Sequence, residues 1–190
     1  YIIAAIVGGD MHDDYHNQFL KGATDYAISK GYTLTVALTE GSSKIEADVI
    51  KKYNEMSVEG FLAFHSGDVN NYLELKKHNI PFVLYTKYFK DLDCDYVVCD
   101  DCLGGRMITD YLIKLGHKRI GYLFDEGIKS SSEVLNRKQG YKSALENAGI
   151  EFDEHLICSY NNADTDNKLK NNRLLKEYLS IKKPPTALFI

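Results

Sequence analysis

Apolar runs rich in β-branched residues alternate with amphipathic stretches along the whole chain. The runs are of strand length and apolar at most positions, which is typical of parallel strands buried on both faces. The stretches between them carry apolar residues three and four positions apart, as helices with one buried face require. The pattern therefore predicts an α/β fold of parallel sheets covered by helices. Strands are predicted at 1–7, 33–38, 60–64, 81–85, 96–99, 119–124 and 156–160 and at the end of the chain, with a helix in each of the longer intervals.

Short sequence signals mark several helix ends. Ser43-Lys44-Ile45-Glu46 fits a capping box, and Ser130 with Glu133 fits a second one, so these serines are predicted to begin helices. Gly31 and Gly116 follow apolar periodic stretches and are predicted to end helices as C-caps.

The alternation of predicted strands and helices starts again after Gly116-His117. Residues 1–117 are predicted to form a complete lobe, and residues 118–190 a second lobe that is incomplete. Both chain ends fall within predicted strands, so we expect the native protein to continue in both directions. Ligands of such sheets bind at the carboxyl ends of the strands and, with two lobes, in the cleft between them.

Charge and hydropathy exclude some classes of function. The net charge is −4 and the pI about 5.9, so this segment has no basic excess for binding a phosphate backbone by itself. The longest apolar stretch, 1–7, is far shorter than the roughly 20 residues that cross a bilayer. No cationic leader precedes it, and no membrane partner is predicted.

Two groups of residues imitate metal sites. Cys94, Cys99 and Cys102 have the spacing of plant-type ferredoxins, with Cys158 as a conceivable fourth ligand. Cys99 ends an apolar strand and Cys158 lies in the other lobe, however, and unpaired cysteines in a reducing cytoplasm are the favoured interpretation.

A zinc site is likewise conceivable at His12 and His16, which are four residues apart with aspartates nearby, but the glutamate base of metalloproteases is missing. A polar loop leading into a helix is favoured, and no metal is predicted.

No cofactor and no catalytic group is predicted either. Gly8-Gly9 and Gly104-Gly105 do not extend to a G-x-G-x-x-G fingerprint or a Walker motif. The sequence also lacks a G-x-S-x-G elbow, and no Ser, His and acid can be assembled from it with any specificity.

Several motifs in order carry a resemblance to a known family. The segment 109–122 resembles the hallmark stretch of the lactose and galactose repressor (LacI/GalR) family of bacterial transcription regulators; its sequence is TDYLIKLGHKRIGY. VVCDD at 97–101, followed by glycines, looks like the V-x-x-D-N of that family, and RKQGY at 137–141 is similar to its R-x-x-G-Y helix. VEGFL at 58–62 and NIPFVL at 79–84 match its strand entries. The resemblance covers essentially all 190 residues.

The resemblance implies a periplasmic-binding-protein-like fold, with two Rossmann-like lobes that close on a small polar effector such as a sugar. It implies the effector-binding core of a repressor, with the DNA-binding headpiece missing upstream and the last strands of the second lobe missing downstream. It also implies a cytoplasmic homodimer that meets its partner through the first helix and binds operator DNA through the headpiece, with effector and operator affinities linked.

The same resemblance implies the residues of the effector site. Tyr15 and His16 occupy the positions of an aromatic pair that stacks on the effector, although Asp13-Asp14 replace the usual Asn-Pro before it. Arg137 would reach the effector from the second lobe with donors that suit vicinal hydroxyls or a carboxylate. The full predicted set is Tyr15, His16, Ser66, Asp100, Asp101, Ser131 and Arg137.

Two other classes of protein stay open at this point. A sugar-binding receptor of a membrane transporter shares the same fold and cleft, whereas the unpaired cysteines and the 109–122 segment favour the regulator. An enzyme on this fold would need a nucleophile or base at the cleft. His16 is the sole candidate for such a base, and no turnover is expected from it.

Overall fold

The computed structural model describes residues 1–8, 14–64, 67–161 and 167–190, with side chains for all of these except 167–171. The chain divides into two compact units, Tyr1–Cys99 and Asp100–Ile190. Both units consist of parallel strands and helices, which confirms the predicted fold class, and the predicted strands and helices occur in the predicted order. Within the described ranges, no helix combines the length and apolar character that crossing a membrane requires.

The first unit contains a five-stranded parallel sheet. Its elements are β1 (Ile2–Val7), α1 (Asp14–Ser29), β2 (Thr33–Leu38), α2 (Ser43–Glu55), β3 (Gly60–Phe64), α3 (Asn70–Lys77), β4 (Phe82–Tyr85) and β5 (Asp95–Val97). The strand order is β2-β1-β3-β4-β5. Residues 4–7 of the interior strand β1 are fully buried, so both faces of the sheet are covered there. This explains why β1 is apolar at successive positions.

Helix α2 begins at Ser43 as predicted, but its capping differs from the prediction. The N-cap is Ser42 rather than Ser43, and the Ser42 hydroxyl accepts a hydrogen bond from the Ile45 backbone N–H at 3.3 Å. Glu46 does not complete a capping box, because it is fully buried and accepts a hydrogen bond from the Asn71 side chain at 2.9 Å. The predicted capping box is therefore wrong, and Glu46 joins α2 to α3.

The second unit contains a three-stranded parallel sheet. Its elements are α4 (Asp101–Lys114), β6 (Ile120–Asp125), α5 (Ser132–Asn147), β7 (Ile157–Tyr160), α6 (Asn167–Leu179) and β8 (Ala187–Phe189). The strand order is β7-β6-β8. Tyr122 and Tyr141 lie in the core, and the Tyr141 hydroxyl donates to the Ile120 carbonyl oxygen at 2.7 Å. Gly116 ends α4 with a φ of +92°, as its predicted C-cap role requires.

Two glycines bring α4 and α5 into backbone contact. A Cβ atom at Gly140 would fall onto the carbonyl oxygen of Cys102 and lie 2.7 Å from the backbone nitrogen of Arg106. A Cβ atom at Gly105 would fall onto the carbonyl oxygen of Arg137. Only glycine fits at these two positions, so the R-x-x-G spacing on α5 packs that helix tightly against α4.

This helix contact bears on where the chain divides. The sequence analysis places the end of the first lobe after residue 117, where the strand rhythm starts again. In the structure α4 packs against α5, and the chain divides into its two compact units between Cys99 and Asp100. The lobe boundaries of 1–117 and 118–190 remain a prediction about topology, whereas α4 belongs to the second unit by packing.

Candidate functional site

Aromatic side chains meet at the carboxyl ends of β3 and β4 in the first unit. Phe64 and Tyr85 are the last residues of these strands, and His16 lies in the first turn of α1. The ring centroids of His16 and Phe64 are 4.9 Å apart at an interplanar angle of 78°, and the rings of Phe19 and Tyr85 stack at 3.8 Å. We call His16, Phe19, Phe64 and Tyr85 the aromatic cluster. It lies where ligands of open α/β sheets bind.

The two members of the predicted aromatic pair have different surroundings. His16 is only 5% exposed and belongs to the aromatic cluster. Tyr15 is 47% exposed, and its hydroxyl lies 3.4 Å from the side-chain oxygen of Thr86. Tyr15 can therefore contact a ligand with its ring, whereas His16 exposes little of its ring to solvent.

Two polar atoms of the aromatic cluster lack a hydrogen-bond partner among the described residues. These are His16 Nδ1 and the Tyr85 hydroxyl, and both are buried. Burial raises the pKa of Tyr85 well above its usual value, so the hydroxyl stays neutral and can donate. A buried polar atom without a partner costs about 1–3 kcal/mol, so these two atoms are candidates for contact with a bound molecule.

The backbone is strained directly beside this cluster. Thr86 follows β4 and has a φ of +73°, a left-handed conformation that β-branched residues rarely adopt. Its N–H donates to the Val97 carbonyl oxygen at 2.9 Å, which helps to hold the conformation. The next residue, Lys87, is buried with Nζ 4.5 Å from the centroid of the Phe64 ring. Strain of this kind concentrates at ligand sites.

An ion pair joins the start of α4 to α5 in the second unit. Arg137 Nε donates to Asp101 Oδ1 at 2.8 Å, where Asp101 is 8% exposed and the Arg137 side chain 46% exposed. Asp100 is the N-cap of α4, and its Oδ1 accepts from the Leu103 N–H at 2.8 Å. Asp100 and Asp101 therefore fix the start of α4, and Asp101 also orients the guanidinium of Arg137.

The capping of α5 differs from its prediction, as the capping of α2 does. The N-cap is Ser131 rather than Ser130, and its side chain makes no capping hydrogen bond. Glu133 is 8% exposed and does not close a capping box. In the described part of the chain, Ser131 Oγ and Glu133 Oε2 are buried without a hydrogen-bond partner. The predicted capping box is wrong here too.

The structure groups the predicted site residues by unit. Tyr15 and His16 lie at one end of the first sheet, and Asp100, Asp101, Ser131 and Arg137 lie at the starts of α4 and α5 in the second unit. Ser66 lies outside the described residues. The sequence analysis missed Phe64, Tyr85 and Glu133 as site candidates. Phe64 and Tyr85 end predicted strands, so the carboxyl-end rule alone could have indicated them.

The cysteines do not form a disulfide in the structure. All four are free. Burial raises the pKa of Cys94 and of Cys158, so both thiols are protonated at neutral pH. Among the residues that the structure describes, no three His, Cys, Asp or Glu side chains are placed to hold a metal ion. His12 lies outside the described residues.

Parallel sheets with polar and aromatic side chains at their carboxyl ends define the class of α/β proteins that bind small ligands there. A sequence model of the family described as periplasmic binding proteins and sugar-binding domain of the LacI family matches residues 2–188. The chain belongs to this family, as the resemblance of its motifs predicted.

Known relatives of the chain are named as transcriptional regulators. The chain is 26% identical over 189 residues to the HTH-type transcriptional regulator DegA of Bacillus subtilis, covering 97% of this chain and 54% of that protein. It is 29% identical over 147 residues to the ribose operon repressor of Haemophilus influenzae, covering 77% and 43%. The chain thus spans about half the length of these relatives, which are transcriptional regulators rather than enzymes.

A solved structure agrees with these relatives. The crystal structure of the transcription regulator CcpA of Lactococcus lactis superposes with a TM-score of 0.79 at 26% identity, covering 93% of this chain and 64% of that one. The similarities together favour a regulator over a transport receptor.

Proposed function

We propose that the chain is the effector-sensing part of a DNA-binding transcriptional repressor. The observation that carries the proposal is the family match over residues 2–188, combined with relatives that are named as regulators and repressors. Because the chain spans about half of these relatives, the DNA-binding headpiece is assigned to residues outside it. The proposed protein is a cytoplasmic homodimer without catalytic activity.

The proposed effector is a sugar or a similar small polar molecule. Tyr15 and His16 would contact it from the first unit, and Asp100, Asp101, Ser131 and Arg137 from the second, with Ser66 as a further candidate. Two of the buried polar atoms that lack a partner among the described residues support this assignment, because they lie at the proposed contact residues His16 and Ser131. A ligand with several hydroxyls supplies both donors and acceptors to such atoms.

Regulation follows from linkage between the two binding events. An effector that binds one arrangement of the repressor better than another shifts the population toward that arrangement and changes its affinity for DNA. Couplings of this kind change affinity by roughly 5- to 150-fold. The sign of the change in DNA affinity, measured in a gel-shift titration, shows whether the effector releases or promotes DNA binding.

The test uses the complete protein and DNA from upstream of its own gene. We expect sequence-specific binding in a gel-shift titration, and a shift in the apparent Kd when D-ribose, D-glucose or D-glucosamine is added. Arg137→Ala should keep DNA binding and lose the response to sugar. Absence of specific DNA binding in the complete protein would refute the regulator, and a full response in Arg137→Ala would refute the proposed site.

A further inference from the structure

A cavity lies between α2 and α3 in the first unit, and its volume is about 410 Å³. Both helices contribute to its walls, which include Ala47, Ile50, Lys51, Asn54, Leu75 and His78. Sites for small molecules have volumes of roughly 300–1,000 Å³, so the cavity is large enough for one. None of the described candidate effector residues lines it. We call it the α2–α3 cavity.

The floor of the α2–α3 cavity is apolar and held in place. Ile50 is 7% exposed and Leu75 is 2% exposed, and both belong to the hydrophobic core of the first unit. Asn71 joins the first turns of the two helices, because its Nδ2 donates to Glu46 Oε1 at 2.9 Å and to the Ser43 carbonyl oxygen at 3.0 Å. A ligand with an apolar body would therefore meet a floor that is already ordered, which favours binding.

The rim of the cavity carries a positive charge that is not compensated. Lys51 is exposed and forms no salt bridge with a described residue, although Asp48 and Glu55 stand three and four positions away on α2. On the α3 side, Glu74 Oε1 lies 3.7 Å from the ammonium of Lys77, which offsets the charge of that carboxylate. The rim is therefore positive at Lys51, and an anionic group would be attracted there.

A second donor stands beside this charge. Asn54 follows Lys51 by three positions on α2 and also lines the cavity. Its side-chain amide makes no hydrogen bond with a described residue. Residues three apart on a helix are neighbours, so the ammonium and the amide can donate to the same group. A carboxylate suits both donors, because it is negatively charged and has two acceptor oxygens.

We propose that the α2–α3 cavity binds a small molecule that has an apolar body and one carboxylate. The apolar body lies against Ile50 and Leu75, and the carboxylate accepts hydrogen bonds from Lys51 and Asn54. This site goes beyond the proposed function and does not depend on it, because the two sites share no described residue. The protein then has two separate inputs from small molecules.

The test uses pairs of probes that share an apolar body and differ in the acidic group. Phenylacetate is compared with phenylacetamide, and hexanoate with hexanamide, by ligand-observed NMR titration of the complete protein at low salt. The same titrations are made with the variants Lys51→Gln, Asn54→Asp and Ala47→Leu. The matched control is Lys52→Gln, which removes an ammonium group from the next exposed position of α2, outside the cavity walls.

We expect phenylacetate or hexanoate to bind at least about fivefold more tightly than its amide, as one ion pair near the surface allows. Lys51→Gln should remove most of this preference. Asn54→Asp places a negative charge beside the bound carboxylate, so it should weaken the acid and leave the amide nearly unchanged. Lys52→Gln should behave as the wild type.

The variant Ala47→Leu tests the location rather than the charge. The larger side chain occupies part of the cavity, so it should weaken both members of each pair about tenfold or more. Its urea midpoint is measured alongside, and Lys51→Gln and Asn54→Asp at exposed positions give the answer if Ala47→Leu does not fold. Failure of both acids to bind, equal affinity of acid and amide, or equal losses in Lys51→Gln and Lys52→Gln would overturn the proposal. Undiminished binding in a folded Ala47→Leu variant would do so as well.

Discussion

The two units hold their candidate ligand residues by different physical means. In the first unit, His16 is packed among aromatic rings that end β3 and β4, and burial fixes its orientation. In the second unit, Arg137 is half-exposed, and its orientation depends on one carboxylate and on the close contact of two helices. The comparison indicates that the first site depends on the close packing of buried rings, whereas the second depends on one ion pair and on two glycines.

The largest effect is expected at the helix contact of the second unit. Gly140→Ala places a methyl group on backbone atoms of α4 that cannot move aside, and should lower the free energy of unfolding by about 3 kcal/mol or more. Urea unfolding followed by circular dichroism measures this. Gly104→Ala is the matched control, because its Cβ meets open space in a helix interior, and it should stabilise by about 0.5–1 kcal/mol. Equal effects of the two substitutions would contradict the close packing.

The second-largest effect on stability is expected at the ion pair between Arg137 and Asp101. Arg137→Ala leaves the buried carboxylate of Asp101 without its partner and should lower the free energy of unfolding by about 1–3 kcal/mol. In an Asp101→Asn background the same change should cost less, because no buried charge remains. A double-mutant cycle in urea measures the coupling. A coupling of zero would mean that the pair does not orient Arg137.

A smaller effect is expected at Tyr15 of the first unit. Its half-exposed ring is available to stack on a ligand, so Tyr15→Ala should weaken effector binding about tenfold and change stability by less than about 0.5 kcal/mol. Tyr15→Phe keeps the ring and should retain most of the affinity. Calorimetric titration of the effector found by the sugar screen checks both variants. An equal loss in Tyr15→Phe would point to the hydroxyl rather than the ring.

The smallest effect is expected in the pH dependence of the free energy of unfolding, which should differ between the two units at acidic pH. Among the described residues, the carboxyl groups with a lowered pKa are Glu126 and Asp153, both in the second unit. The backbone N–H of His155 lowers the pKa of Asp153 most, and Arg119 adds to the effect. A lowered pKa stabilises the folded state above the ordinary value of 3.8, and this contribution is lost as the pH falls through the folded value.

Asp153→Asn should therefore make the pH dependence of unfolding shallower below pH 3.8 and leave it unchanged near neutrality. Urea midpoints measured across this range test the expectation. A slope equal to that of the wild type would show that Asp153 does not contribute.

The fold class and the order of elements could be predicted from sequence because they depend on local periodicity. β1 is apolar at successive positions and α4 is followed by Gly116, and both features appear in the structure as predicted. Both capping boxes were wrong because the N-caps are Ser42 and Ser131, so neither glutamate stands three residues after its cap. Glu46 instead accepts a hydrogen bond from Asn71 on the next helix, and Oε2 of Glu133 is buried without a partner among the described residues. Such contacts join residues far apart in sequence, and local spacing does not encode them.

The candidate site was predictable only in part for the same reason. Motif similarity indicates Arg137, but it does not reveal that Asp101 pairs with it or that Oε2 of Glu133 has no hydrogen-bond partner among the described residues. Phe64 and Tyr85 look like ordinary core residues until the structure brings them against His16. The position of a residue at the end of a strand is a sequence signal, whereas the lack of a hydrogen-bond partner is a tertiary property.

The contact at Gly105 and Gly140 also has a mechanical consequence. With backbone against backbone, α4 and α5 cannot slide past each other without a clash, so they move as one lever. The 14 residues of α4 make this lever about 20 Å long. A rotation of about 3° at the Arg137 end therefore displaces the Leu115 end by about 1 Å. A ligand that displaces Arg137 would therefore also displace the Leu115 end of α4.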